Sequence, residues 1–460
     1  AYGYLVYFID IIASLPQLVR IMEYTISMIK LGWVERVLVG LLLVVAALIV
    51  VHAPLTVWSS VQWPEYANYI KAWKELLMGA GLVLFITAAV RRNMVGTLLA
   101  DRIMQLGIVY AGLHFVLVAV FQNGLAEAGA GLLIDLRYIL YFVLVYGTAR
   151  MIPEFRRPFI YVSVGGAAVV VLFALLQLFV LPKDFLSNIG YSKNTIAPYL
   201  TVDENPAYVR INSTLRGPNP LGAYAVIIIS LLTAAVIKWK SGTRGYIVAA
   251  VVAIATGLIL GASYSRSAVI GAVVAVVTVA TVAVSSRVRK RLVITVVVAA
   301  AVAIATIAVL RDNPYISSVV LHNSPTTGAS IDSNEGHADS LVHGLSWVGQ
   351  LPFGAGIGST GSASLSGDRP FIVENQYLFI AHETGWLGLA LFVWLFIEIM
   401  RRLWMHRRSV LALGLFGSGV GLAVIGLLLP VWVDDTVSIV WWGLAAVSVG
   451  GSYQYARKNK

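Results

Sequence analysis

The sequence of 460 residues contains no cysteine, which excludes disulfides, thiolate metal sites and a cysteine nucleophile. Charged residues are scarce as well, at 12% of the chain against about 25% in soluble domains. Hydrophobic residues, by contrast, make up 59%. A chain with this composition cannot cover itself with polar surface in water, so we expect lipid to be its solvent.

Long apolar runs occupy most of the chain. A helix needs about 20 mostly apolar residues to cross the roughly 30 Å hydrocarbon layer of a membrane. Twelve candidate runs lie near 37–54, 76–91, 103–121, 131–149, 158–182, 220–237, 245–262, 267–285, 292–310, 376–400, 409–431 and 436–453. We therefore predict an all-α, polytopic integral membrane protein with about 12 transmembrane helices and a single membrane domain over residues 1–460. The segment 1–34 is apolar but interrupted by charges, and it either lies in the interface, which we favour, or adds one or two spans.

Basic residues mark one set of alternate linkers between the predicted spans. Of the 33 lysines and arginines, 20 lie on that set, 10 on the intervening segments and 3 in the N-terminal stretch. The positive-inside rule places the richer set, and with it both termini, in the cytoplasm. The two longest linkers, 183–219 and 311–375, are then outer loops, and the second of them joins spans 9 and 10.

The first outer loop carries an arginine segment just ahead of the sixth predicted span. Arg210 and Arg216 are six residues apart, and Pro218 and Pro220 give the chain a fixed entry into the helix that follows. Guanidinium groups bind phosphate through paired hydrogen bonds, and a helix N-terminus adds partial positive charge. The segment predicts either an anchor for lipid headgroups or an anion site, with Asn219 able to cap the helix.

Another arginine lies in a very short outer hairpin between two long apolar helices. The hairpin reads Ser263-Tyr264-Ser265-Arg266 and contains no acidic residue. A charge at full membrane depth costs about 2.5–3.5 kcal/mol, so we expect Arg266 to have a partner. That partner is either a distant carboxylate or an anionic substrate.

The long loop 311–375 combines acidic residues, histidines and a glycine-rich run, Gly354 to Gly361. His337 and His343 are six residues apart with an acid between them. No standard zinc spacing fits, so we predict neither a metal nor a cofactor. The glycine run lacks the lysine of a Walker loop, and we expect it to form a flexible turn.

Polar residues also open the tenth predicted span, where Glu374, Asn375 and Tyr377 follow the outer loop. An acid at such a helix mouth is a candidate general base or helix cap. Deeper in the same span, we expect His382 and Glu383 to be paired inside the bundle, because unpaired charges are costly there.

Together these segments resemble the O-antigen ligase/polymerase superfamily, which transfers glycans from polyprenyl-diphosphate carriers at the outer membrane face. Arg210 lies eight residues before Pro218-Asn-Pro-Leu-Gly222, which resembles the family's Pro-Asn-x-Leu-Gly motif at the start of a span. Ser265 to Ala268 resembles its Ser-Arg-Gly/Ser-Ala turn. Pro352 to Gly358 resembles its proline- and glycine-containing stretch after the long outer loop.

A fourth feature departs from the pattern in one residue. In the O-antigen ligases a histidine and a small polar residue precede Gly-x-x-Gly by nine residues. Here Glu374-Asn375 and Gly385-Trp-Leu-Gly388 keep that nine-residue spacing, with glutamate in place of histidine. The resemblance spans roughly 205–390, and the glutamate favours a polymerase or a divergent transferase over a ligase.

The resemblance implies a class C type membrane glycosyltransferase, inverting and metal-independent, in the bacterial cytoplasmic (inner) membrane with its active site on the outer face. Arg210 and Arg266 would bind the diphosphate, and Glu374 would accept the proton of the acceptor hydroxyl. Further substrate contacts are expected for Arg216, Asn219, His337, Asn375 and Tyr377. No motif carries His337, which is an alternative polar catalyst.

The implied reaction is polymerisation of the repeat units of a surface polysaccharide. The expected partners are a polyprenyl-diphosphate-linked glycan donor, a glycan or lipid-linked acceptor and membrane lipids, with no nucleic acid. A ligase that passes the glycan to a lipid, protein or wall acceptor is the alternative. A flippase or transporter is the alternative of another class, but it should show polar residues at the membrane midplane, whereas the unusual polar residues here are expected at the outer rim.

Overall fold

The computed structural model of the protein describes residues 31–203, 205–238, 242–321, 333–367 and 370–451, without the side chains of 333–339. Ten helices in this part are long and apolar enough to cross a membrane, and two shorter helices are also apolar. They correspond in order to the twelve predicted spans, so the prediction of an all-α, polytopic membrane protein is confirmed. Nearly all of the segment 1–34 lies outside the described residues.

The main elements follow one another in chain order. They are α1 (Trp33–Gln62), α2 (Trp73–Arg91), α3 (Arg102–Phe121), α4 (Leu125–Met151), α5 (Arg156–Phe179), β1 (Leu200–Val202), β2 (Asn205–Arg210), α6 (Pro218–Lys238), α7 (Thr243–Ala262), α8 (Arg266–Ala283), α9 (Ser286–Val309), α10 (Ser333–Gln350), α11 (Gln376–Met405), α12 (Val410–Ile425) and α13 (Asp435–Gly450). Short helical turns between them lie at Pro64–Tyr66, Ala67–Lys71, Val95–Leu99, Pro153–Phe155, Phe185–Ile189, Ile316–Leu321, Gly361–Ser364 and Val431–Val433. A 3₁₀ turn at Ile49–Val51 interrupts α1.

Two elements were not predicted from hydropathy, because both lie in the long polar linkers. The strands β1 and β2 form an antiparallel hairpin that pairs Leu200 with Arg210. The helix α10 occupies much of the second long linker. The hairpin precedes α6 in the chain, and α10 precedes α11. Both therefore lie at the bundle end where α6, α8 and α11 begin. We call this end the arginine end.

The helix α13 forms the centre of the bundle. Each of its residues from Thr436 to Gly450 is buried, and it packs most extensively against α4. Its Trp441 and Trp442 rings lie 5.2 and 5.7 Å from the Trp432 ring, centroid to centroid. Phe396 on α11 joins the same aromatic cluster, 5.6 Å from Trp441. The core is therefore a block of large aromatic side chains around α13.

The periphery has the opposite character. The helix α9 buries none of its residues within the bundle, although it is among the most apolar helices. Val297, Val302 and Ile304 on this helix are 62%, 59% and 68% exposed. Apolar helices with outward-facing apolar surface are stable in lipid and not in water, which agrees with a multi-pass membrane protein.

Glycines allow α6, α8 and α12 to pack closely against one another. A Cβ on Gly421 of α12 would lie 2.4 Å from the carbonyl oxygen of Gly271 on α8. A Cβ on Gly222 of α6 would lie 2.6 Å from the Ala268 Cβ. Small residues let the backbones of membrane helices approach this closely. The three helices therefore fix the geometry of the arginine end.

A buried ion cluster closes the opposite end of the bundle. Asp101 accepts a hydrogen bond from the Ile103 N–H and so caps α3. Its carboxylate also accepts from Arg150 at 2.8 Å and from both terminal nitrogens of Arg402 at 3.0 Å. Burial acts to raise the pKa of Asp101, but the hydrogen bonds and charge of Arg402 outweigh it, and the pKa is lowered.

Candidate active site

Arg210, the last residue of β2, is tied to the hairpin between α7 and α8. Its Nε donates to the Ser263 carbonyl at 2.9 Å, and its Nη2 donates to Asn219 Oδ1 at 2.6 Å. The next residue, Ile211, donates its N–H to the Ala262 carbonyl at 3.3 Å. Two segments that are far apart in the sequence, the arginine loop and the short hairpin, are thus in direct contact.

Electrostatics around Arg210 are set by burial and by a second cation. Burial lowers the pKa of Arg210 to about 10, with Asp203 acting to raise it and the Arg266 charge to lower it. At neutral pH the guanidinium therefore stays protonated. Arg210 bonds to Ser263, three residues before Arg266, so the structure brings the segments of two of the predicted catalytic residues together.

The hairpin that carries Arg266 is held by local hydrogen bonds and an unusual backbone angle. Tyr264 adopts a positive φ of 48°, and the Ser265 N–H donates to Ser263 Oγ at 3.2 Å. Arg266 begins α8 and donates from Nη1 to the Val320 carbonyl at 3.2 Å. This contact ties the helix start to the beginning of the second long linker.

Asn219 is not the cap of α6, because the helix already begins at Pro218. It lies in the first turn, where its side-chain oxygen accepts from Arg210. The same helix packs on the hairpin through Gly222, whose added Cβ would lie 3.0 Å from Ser263 Oγ. The Pro-Asn-Pro-Leu-Gly segment therefore positions Arg210 from one side, and the hairpin does so from the other.

At the entrance of α11, Asn375 rather than Glu374 caps the helix. Its side-chain oxygen accepts from the N–H groups of Tyr377 and Leu378 at 2.9 and 3.0 Å, and its amide donates to the Leu427 carbonyl at 2.7 Å. The Tyr377 hydroxyl donates to the Ala423 carbonyl at 2.9 Å. Both side chains thus hold the start of α11 against the end of α12, and their contacts with substrate stay a prediction.

Glu374 is half-buried and lies directly before this cap. Its N–H donates to Ser340 Oγ on α10 at 3.0 Å. The position at the mouth of α11 agrees with the predicted one, and the role as a base remains a prediction. His337 lies on α10 as well, but its side chain is outside the described part, as are those of the acidic residues around it.

The glycine-rich run, Gly354 to Gly361, is hydrogen-bonded to the backbone of α11 and is not the flexible turn expected. We call this run the glycine clamp. Gly385 has a φ of +66° and interrupts the helical geometry of α11. The His382 and Glu383 carbonyls accept from the Ala355 and Gly356 N–H groups at 2.6 and 3.2 Å. A Cβ on Gly354 would lie 2.6 Å from the Gly385 nitrogen, so the backbones are in direct contact.

His382 and Glu383 are not paired with each other. His382 Nδ1 lies 3.1 Å from Ser359 Oγ, and Glu383 Oε1 accepts from the Thr360 N–H at 3.3 Å. Farther inside, His114 Nε2 lies 3.7 Å from Asp135. Buried polar groups therefore also occur within the helices, and the concentration of unusual polar residues at the outer rim stays a prediction.

Arg216, unlike Arg210 and Arg266, lines a cavity of about 670 Å³ at the arginine end, which we call the Asp435 cavity. Asp435 accepts there from Lys74 at 3.0 Å and from His52 at 2.9 Å, and it also pairs with Arg137. The cavity is therefore charged on several sides.

Sequence reasoning missed these groups, although isolated charges in apolar runs carry a signal of their own. His52 and Arg137 each lie within a predicted span, and Lys74 lies two residues before one. Their common partner Asp435 is far away in the sequence, so the sequence alone does not show that these residues form one network.

The fold and the arginine end together define a polytopic membrane protein in which a loop arginine contacts the hairpin that carries a second arginine. Residues 249–393 match the family model for O-antigen ligase. The resemblance to the O-antigen ligase/polymerase superfamily is thereby confirmed, and it implies a glycosyltransferase-type enzyme that acts on lipid-linked glycans. The match includes Arg266, Glu374 and the glycine clamp, whereas Arg210 and Arg216 precede it. No curated protein matches the chain.

Proposed function

We propose that the protein transfers a glycan from a polyprenyl-diphosphate carrier to a hydroxyl acceptor at the outer membrane face and so polymerises the repeat units of a surface polysaccharide. The observation that carries this proposal is the contact of Arg210 with the hairpin that carries Arg266 and lies inside the family match. Two protonated guanidinium groups at one place suit a ligand with two phosphates.

Arg210 has donor capacity left for such a ligand. A guanidinium has five N–H groups, and the contacts with Ser263 and Asn219 use two of them. Those two contacts fix the plane of the fork. Fixed donors stabilise developing charge better than mobile ones, because they need no reorganisation during the reaction.

The reaction follows from these groups. The acceptor hydroxyl oxygen attacks the anomeric carbon from the side opposite to the diphosphate, and the bond from that carbon to the diphosphate oxygen breaks. The electron pair of this bond moves to the diphosphate, whose charge Arg210 and Arg266 stabilise. The hydroxyl proton goes to the Glu374 carboxylate. The anomeric configuration is inverted, and the arginines supply the positive charge that a divalent metal supplies in other transferases.

A ligase remains a second candidate, since the matching family model is that of O-antigen ligase. The two reactions share donor chemistry and differ in the acceptor. A polymerase lengthens a lipid-linked glycan, whereas a ligase transfers it to a lipid, a protein or the wall. The masses of the products therefore distinguish the polymerase reaction from the ligase reaction.

The test uses the purified protein in nanodiscs with polyprenyl-diphosphate oligosaccharides extracted from the membranes of the producing cells. Mass spectrometry should find longer lipid-linked glycans, formed equally well with EDTA present. Glu374→Gln should slow their formation and leave donor binding intact, because the amide keeps the shape and loses the base. Glu374→His should retain part of the activity, with a pH profile shifted toward the imidazole pKa of about 6.5.

Two outcomes would overturn the proposal. A loss of activity in EDTA that Mg²⁺ restores would contradict the arginine-only account of the leaving group. Wild-type turnover by Glu374→Gln would show that Glu374 is not the general base. His337 on α10 would then be the next residue to replace.

A further inference from the structure

We propose that the Asp435 cavity is a carbohydrate site that holds sugar residues of the lipid-linked glycan. This inference rests on the proposed function and adds to it a place for the sugars, separate from the arginines that bind the diphosphate. No motif in the sequence pointed to this cavity, and most of its lining lies outside the family match.

The size and the lining of the cavity fit a polyhydroxylated ligand. Its volume of about 670 Å³ lies within the range of roughly 300–1,000 Å³ that small-molecule sites occupy. Hydroxyl and amide side chains from three separate parts of the chain line it: Thr56, Ser60, Asn68, Asn194, Thr195 and Ser366. Such groups both donate and accept, as a sugar ring with several hydroxyls requires.

Three lining side chains carry a buried polar atom without a hydrogen-bond partner among the described residues. They are Ser60 Oγ, Glu75 Oε2 and Arg137 Nε. The side chains of Glu75 and Arg137 are only 10% and 7% exposed. Buried polar groups in folded proteins are nearly always paired, so these three indicate a ligand that supplies both donors and acceptors. A sugar hydroxyl does both.

The charges in the cavity favour a sugar over a phosphate. Lys74 and Arg137 are paired with two carboxylates, Asp435 and Glu75, so these four charges cancel. Lys71, Arg216 and Asp434 also line the cavity, which therefore lacks the concentrated positive charge that a diphosphate requires. Arginines bonded to carboxylates leave a mixed surface of donors and acceptors, which suits a neutral or weakly charged ring.

The network behind the cavity holds this surface in place. Trp73 Nε1 donates to His52 Nδ1 at 2.9 Å, which leaves His52 Nε2 to donate to Asp435. Asp434 caps α13 by accepting from the Val437 N–H at 2.9 Å. A site whose side chains are fixed before binding loses less entropy when the ligand enters.

The cavity also lies in a suitable place. Arg216 lines it and belongs to the short connection that runs from Arg210 to the start of α6. Ser366, from the linker between α10 and α11, lines it from another side. A glycan whose diphosphate is bound at Arg210 can therefore extend its sugars along this connection into the cavity.

The test uses the absence of native cysteine. Ser366→Cys and Thr195→Cys each place one thiol at the cavity lining, and both positions are exposed. Ser362→Cys and Ser187→Cys are matched controls, exposed positions close in sequence that do not line the cavity. Each variant is placed in nanodiscs, and the rate of labelling by an impermeant maleimide is measured with three probes. The probes are the extracted lipid-linked oligosaccharides, the free oligosaccharides released from the same pool by mild acid, and sugar-free polyprenyl diphosphate.

We expect both sugar-containing probes, and not the sugar-free carrier, to protect the cavity thiols. With a probe at ten times its Kd, labelling should slow about tenfold, and the control thiols should label at an unchanged rate. Equal protection by the sugar-free carrier would overturn the carbohydrate assignment in favour of a phosphate or lipid site.

Glycan extension by the wild-type protein, measured in the same nanodiscs, separates this inference from the proposed function. Extension without protection would refute the cavity assignment and leave the transferase standing. Protection without extension would keep the carbohydrate site and refute the transferase. If neither occurs, both are wrong.

Discussion

Replacing Arg210 by lysine keeps the charge and removes the planar fork, so it separates a diphosphate grip from a headgroup anchor. Arginine presents its donors in a fixed plane, whereas lysine carries a single point of charge on a flexible stem. An anchor needs only the charge and should tolerate Arg210→Lys. A grip on two phosphates should not.

The magnitude follows from the contacts of Arg210. Its Nε and Nη2 reach two different acceptors, at 2.9 and 2.6 Å, and one ammonium group cannot occupy both positions. Losing one hydrogen bond to a charged group costs about 1.5–3 kcal/mol. Losing a donor that faces developing charge costs about 2.7–4 kcal/mol, or roughly 10²–10³ in turnover. We expect Arg210→Lys and Arg266→Lys to lose turnover on that scale.

The assay is glycan extension in nanodiscs, with Arg311→Lys as the control, because the Arg311 side chain is 73% exposed. Asn219→Ala separates the structural role of Arg210 from the catalytic one, since it removes an acceptor and leaves the guanidinium. Turnover by Arg210→Lys within about threefold of wild type, less than about 0.7 kcal/mol, would refute the diphosphate grip. An equal loss in Asn219→Ala would show that Arg210 acts through the fold.

Three further outcomes are expected. Gly222→Ala should lower the melting temperature and the activity, because its Cβ would lie 2.6 Å from a neighbouring Cβ and overpacking costs about 1–3 kcal/mol; Gly261→Ala, with open space around it, should do neither. Asp101→Asn should reduce the unfolding free energy at neutral pH by about 3–5 kcal/mol, since it removes the buried carboxylate charge that pairs with Arg150 and Arg402. The lowered pKa of Asp101 means that its contribution is present above the ordinary value of 3.8 and is lost as the pH falls below it, so thermal unfolding should show this acid loss in the wild type and not in the variant. In intact cells, Ser362→Cys should react with an impermeant thiol reagent and Ser286→Cys should not; the reverse pattern would invert the predicted orientation.

Hydropathy was enough to predict the spans because a helix in lipid must be apolar along its whole length. The observed α3, Arg102–Phe121, differs by a single residue from the predicted 103–121. The strands β1 and β2 and the helix α10 could not be predicted in this way. They lie in polar linkers, where their form depends on contacts with the helix ends that they cover.

The candidate site was predictable to the extent that its residues are local in sequence. Arg266 in its short hairpin and Asn219 beside two prolines carried a signal, because each breaks an apolar or helical pattern. The pairing of Arg210 with Asn219 is also local, nine residues apart. The glycine clamp was misjudged, since only the structure shows the positive φ of Gly354 and Gly385 and the close backbone approach that require glycine at these two positions.

The burial of α13 has a consequence for the order in which the protein is built. The chain is synthesised from its N-terminus, so Lys74 and Arg137 enter the membrane long before Asp435 exists. Until then two cations near the membrane lack the carboxylate that later pairs with both, and the face of α4 on which α13 packs has no helix to cover it. When α13 is inserted, it covers this face and brings the Asp435 carboxylate to both cations. The ribosome and the insertion machinery thus handle an intermediate that lacks its central helix. The insertion of α13 completes the hydrophobic core and, in the same step, forms one wall of the Asp435 cavity.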